Sequence, residues 1–108
     1  MAAVLILEPD PEVRSFYETV IDRMGLKVAD SSSVGPPRAD VDVVLLEPGS
    51  PGDLEAARTL HDERPELPII CASIFPGDLD QIDCVAFLEK PFAVARLRHA
   101  LNSALARS

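Results

Sequence analysis

The chain has 108 residues, 47% of them apolar, and carries a formal charge of −8. That length suits one domain with a buried core, and the acidity argues against a nucleic-acid surface. No apolar run approaches the roughly 20 residues of a membrane span, and the start MAAVLILEPDPEV lacks the basic region of a secretion signal, so a cytoplasmic protein is expected.

AVLIL (3–7) is a short continuous apolar run of the kind buried on both faces of a parallel sheet. In the next segment, EPDPEVRSFYETVIDRMG, Asp10, Pro11 and Glu12 read as N-cap, N1 and N2, and Gly25 as the C-terminal stop. Between them Val13, Phe16, Tyr17, Val20, Ile21 and Met24 recur at helical spacing and predict one apolar face. LKVAD (26–30) predicts a second strand, and VDVVLLE (41–47) a third and the most hydrophobic. Between these two, Gly35-Pro36-Pro37 leaves room for at most one helical turn, because proline removes a donor and clashes with the preceding turn.

Residues 48–52, PGSPG, resemble a phosphate-cradling loop only superficially. They lack the lysine and spacing of a P-loop and are expected to form a rigid turn. A helix is predicted over 53–64, with Leu54, Ala57 and Leu60 or His61 inward, and His61 is read as a surface or boundary histidine. LPIICAS (67–73) and CVAFLE (84–89) predict the fourth and fifth strands, and 74–83 leaves space for only a turn or two between them. FAVARLRHALNSALAR (92–107) closes the chain as a helix, with Phe92, Leu97, Leu101 and Leu105 inward.

Residues 1–90 hold all 18 acids, whereas residues 91–108 hold Arg96, Arg98 and Arg107 and no acid. A solvated helix face with cations near its C-terminus accounts for this, as the helix dipole favours. A basic docking patch is the alternative. Cys71 lies inside a predicted strand and Cys84 opens another, with no histidine at zinc spacing. Free thiols packed as small hydrophobes are expected.

Apolar strands alternating with helices specify a parallel sheet covered on both sides. In such sheets ligands bind beyond the carboxyl ends of the strands. That edge receives Glu8, Glu47, Ser73 and Lys90. With the segments LILEPDPEVR, DVVLLEPGSPG and AFLEKPF, this arrangement resembles the response-regulator receiver domain of two-component signalling, over essentially the whole of residues 1–108. The lysine before a proline and phenylalanine, with Phe87 three residues upstream, is the most specific part. The resemblance implies a flavodoxin-like α/β/α sandwich with five parallel strands in the order 2-1-3-4-5. The second and fourth helices would be shortened or missing. It also implies a cis peptide between Lys90 and Pro91.

Carried over by position, the family's phosphoacceptor aspartate is here Glu47. Its two metal-holding acids are Glu8 and Pro9, and proline has no ligand to offer. Asp10 is displaced by one residue and committed to the helix cap. Ser73 takes the switch-hydroxyl position, Lys90 the phosphoryl-binding lysine and Phe87 the switch aromatic. Ile74 stands where a small residue is usual and is expected to block the pocket. Mg²⁺ demands near-octahedral oxygen ligands, and a misplacement of about 1 Å can cost roughly a hundredfold in rate.

The sequence therefore reads as a degenerate receiver, a protein-interaction module in signal transduction with no enzymatic activity, cofactor or metal. One alternative is an unusual but working receiver phosphorylated in a phosphorelay. A second is a structural dimerisation domain of a larger regulator. A protein partner or a second copy would dock on Phe75, Leu79, Arg96 and Arg98, with neither nucleic acid nor membrane involved. A direct Glu47–Lys90 ion pair is expected, with Ser73 beside it.

Overall fold

Short apolar runs that can bury both faces at once become the strands of a parallel sheet. In the computed structural model, which describes residues 2–29, 41–74 and 82–106, these are β1 (Ala3–Leu7), β2 (Lys27–Ala29), β3 (Val43–Leu46), β4 (Ile69–Ser73) and β5 (Ala86–Glu89). All neighbours pair in parallel, as the alternating pattern implied, and in the order β2-β1-β3-β4-β5 that the resemblance implied. Every residue of β1, β3 and β4 is buried, while β2 and β5, at the edges, are covered only in part.

The helices are α1 (Pro11–Arg23), α2 (Pro51–Glu63) and α3 (Val94–Ala106). Asp10 caps α1, its Oδ1 accepting from the Glu12 amide at 2.9 Å, and Pro11 fills the first turn, where its missing N–H costs nothing. Gly25 follows the helix at φ +73°, a left-handed conformation open to a residue without Cβ. α2 begins two residues earlier than the sequence suggested. Pro51 is helical, so the rigid turn is confined to the residues before it, and the same tolerance of proline at a helix start explains the shift.

Two apolar layers result. Tyr17, Val20 and Ile21 of α1 and Leu97, Ala100, Leu101 and Ala104 of α3 cover one sheet face, against Val4, Ile6, Val43, Leu45, Ile70, Ala72 and Leu88. On the other face, Leu54, Ala57 and Leu60 of α2 pack on Leu5, Leu7, Val44, Leu46, Ile69 and Cys71. Each fully buried Leu or Ile contributes about 1.5–3 kcal/mol relative to exposure. The two layers fix the strand ends, and with them the residues just beyond.

Cys71 and Cys84 correct the expectation of free thiols. A disulfide joins them, with Cα atoms 6.1 Å apart. Parallel pairing of β4 with β5 sets the Val85 amide on the Ile69 carbonyl at 2.9 Å, which brings residue 84 beside the β4 strand. Thirteen positions of sequence hide that neighbourhood. The crossovers expected to hold shortened helices, 30–40 and most of 74–83, lie outside the described residues, as do Phe75 and Leu79. No described helix is long and apolar enough to cross a membrane.

Candidate functional site

Parallel strands deliver their C-terminal ends to one edge, so residues far apart in sequence meet there. Glu8 follows β1, and Glu47 follows β3 with its amide on the Leu7 carbonyl at 2.9 Å. Ser73 ends β4 and is buried, and its carbonyl accepts from the Lys90 amide at 2.9 Å. The peptide from Lys90 to Pro91 is cis.

Lys90 is the hub of this edge. Its Nζ donates to Glu8 Oε1 at 2.5 Å and to Glu47 Oε1 at 2.9 Å. The other oxygen of each carboxylate is held by backbone. Glu8 Oε2 accepts from the Asp10 amide at 3.2 Å, and Glu47 Oε2 from the Gly49 amide at 3.0 Å. All four carboxylate oxygens thus have a donor. The Glu8 side chain is 2% exposed, that of Lys90 13% and that of Glu47 15%.

Burial alone would lower the Lys90 pKa, but the hydrogen bonds and charges of Glu8 and Glu47 outweigh it and hold the ammonium above the ordinary lysine range. Tyr17, beneath the edge, is pushed well above the usual phenol range, by burial first and then by the negative charges of Glu8 and Glu47. Arg14 steadies the end of β1, its Nη1 donating to the Ile6 carbonyl at 3.2 Å and the Glu8 carbonyl at 3.4 Å.

A cavity of about 540 Å³ adjoins the cluster, lined by Glu8, Pro9, Glu47, Ser73, Ile74 and Lys90 among others. Ile74 was expected to block it. In the structure it sits at the rim, with the residue 60% exposed. Pro9 is exposed on the same rim. Phe87 is half-buried against the layer that α2 covers and does not line this cavity. Arg96 and Arg98 are exposed on α3, next to the exposed Val94.

Sequence reasoning paired Lys90 with Glu47 and overlooked Glu8 as the nearer partner. The signal was present: a buried acid requires a cation, and Lys90 is the basic residue at that strand edge. His61, read as a boundary residue, is half-buried with its Nε2 4.0 Å from Asp83 Oδ2.

No family model and no curated protein matches the chain. Solved structures do. A response-regulator receiver domain protein from Clostridium thermocellum superposes with a TM-score of 0.81 at 21% identity, covering 99% of this chain and 96% of that one. A receiver protein from Sinorhizobium medicae gives 0.78 at 22% identity over 99% and 97%. The response regulator TrrA of Thermotoga maritima, solved in complex with Mg²⁺ and BeF, gives 0.76 at 18% identity over 97% and 100%. The chain has the fold of response-regulator receiver domains.

Proposed function

We propose that the chain is a single receiver-like domain acting in the cytoplasm as a protein-interaction module of signal transduction, without phosphoryl transfer or other enzymatic chemistry. One observation carries this reading: Lys90 bridges Glu8 and Glu47 while backbone amides hold their remaining oxygens. Phosphoryl transfer in such a site needs a metal to neutralise the transferred group and a positioned acceptor. The residues at this edge do not suit Mg²⁺. Pro9 supplies no side-chain ligand, Asp10 is spent on the α1 cap, and an ammonium already sits between the two carboxylates. Glu47 and Lys90 then act as a fixed pair rather than as phosphoacceptor and phosphoryl-binding lysine.

The cavity of about 540 Å³ beside Glu47 and Ser73 favours a second reading, a working receiver that forms a glutamyl phosphate. Incubation with a small phosphodonor and Mg²⁺, followed by intact mass, separates the two. No mass gain is expected, and a phosphoryl adduct mapped to Glu47 would establish the second reading. Partners, on either reading, meet the exposed surface of α3 around Val94, Arg96 and Arg98.

A further inference from the structure

The two sulfurs of the Cys71–Cys84 bond sit in unequal surroundings. Cys71 is fully buried in the layer under α2. Cys84 is half-buried and lines a cavity of about 360 Å³ with His61, Pro65, Glu66, Pro68 and Asp83. The bond also ties in an edge strand whose residues are mostly only partly buried. Within β5 only Leu88 is fully buried, Ala86 and Phe87 are half-buried and Glu89 is exposed. That strand runs directly into Lys90, the donor to both glutamates.

We propose that Cys71–Cys84 is a reversible thiol–disulfide couple, exchanged at Cys84 by low-molecular-weight thiols, that sets how firmly β5 and Lys90 are held. In reduction, a thiolate RS⁻ enters the cavity and attacks Cys84 Sγ. The bond to Cys71 breaks, and its electron pair leaves on the Cys71 sulfur, which takes a proton. A second RS⁻ attacks the R-bearing sulfur of the mixed disulfide, forming RSSR and releasing the Cys84 thiolate. Two RSH are oxidised to RSSR, and the protein disulfide is reduced to two thiols. Oxidation by RSSR runs the same steps backward.

Burial dictates the direction of entry. An attacking thiol needs access to the sulfur, and Cys84 is the half-buried member that lines a cavity while Cys71 is fully buried. The apolar layer around Cys71 disfavours its thiolate as a leaving group, so exchange is slow. The rim also selects the reagent. Glu66 and Asp83 are exposed acids lining the cavity, so a thiol without net negative charge enters more readily than an anionic one. His61, with its Nδ1 buried and unpartnered among the described residues, is the one imidazole at this opening.

The test uses the whole wild-type chain, equilibrated in cysteamine–cystamine buffers, trapped by alkylation and weighed, with amide hydrogen exchange measured at both ends of the titration. Neither cysteine should be alkylated at the oxidising end and both at the reducing end, reversibly and with far-UV circular dichroism unchanged. Exchange at Val85 and Lys90 should quicken about tenfold or more on reduction, with Leu45 in β3 unaffected. Glutathione should exchange more slowly than cysteamine at equal thiolate concentration. A Cys84→Ser variant should show none of the redox dependence. Alkylation of both thiols under oxidant, reduction only on global unfolding, unchanged exchange in β5, or faster reaction with glutathione would each overturn the proposal.

Discussion

Glu8 and Lys90, 82 residues apart in sequence, share a 2.5 Å hydrogen bond at the edge of the sheet. The Glu8 side chain is 2% exposed, so its charge has little water to fall back on. Removing the ammonium leaves two carboxylates facing each other in a partly dry site. Lys90→Met is therefore expected to cost about 3 kcal/mol, the range for breaking a buried ion pair from one side. Urea denaturation at neutral pH measures it. The pKa of Lys90 is raised over its ordinary value of about 10.4. Its contribution is whole below that value and is lost as pH climbs through the raised one. The wild type should thus lose stability in the alkaline range more steeply than Lys90→Met.

Asp10 tests whether the acid beside Pro9 is structural. Its Oδ1 holds the Glu12 amide at 2.9 Å and its own amide serves Glu8. Asp10→Ala should cost about 1 kcal/mol through the lost cap and leave the Glu8 contact intact, since that contact uses backbone. A urea midpoint shift of this size, with no change in any partner binding, is the expected result.

Under oxidising conditions the disulfide restrains a segment of the unfolded chain, so Cys84→Ala should lower stability by about 2–4 kcal/mol. In the presence of a reductant the variant and the wild type should differ far less. Thermal melts with and without dithiothreitol provide the comparison.

Arg96 and Arg98 project from the exposed part of α3 on an otherwise acidic chain. Rim charges of this kind govern association rate and salt dependence more than residence time. Arg96→Glu with Arg98→Glu should slow association with an acidic protein partner, or with a second copy, and flatten its dependence on ionic strength. Surface plasmon resonance across a salt series reads both effects, and an unchanged slope would move the interface elsewhere.

Much of this architecture was legible because its signals are local. Apolar runs at β1, β3 and β4 could only be strands buried on both faces, and Asp10-Pro11 and Gly25 bracket α1 where the cap and the left-handed turn occur. What escaped was set by tertiary neighbourhood. The four strand ends were read as meeting, but that Lys90 bonds Glu8 as well as Glu47 depends on side-chain placement that no local pattern encodes. Cys84 looked like the start of a strand, and its distance from Cys71 follows only from the β4–β5 register. Ala100 and Ala104 were passed over as inward residues of α3, since small side chains carry a weak periodic signal although close packing against the sheet suits them.

The central claim is that Lys90 is held between Glu8 and Glu47 and Pro9 offers no side-chain ligand, so that this edge does not take up Mg²⁺. Calorimetric titration with Mg²⁺ tests this most directly, with a Pro9→Asp/Glu47→Asp variant alongside. Both substitutions shorten or restore carboxylates at that edge, so the variant should gain a saturable Mg²⁺ site. Wild-type protein is expected to give no saturable heat at physiological Mg²⁺. A stoichiometric site of micromolar affinity in the wild type would contradict the account.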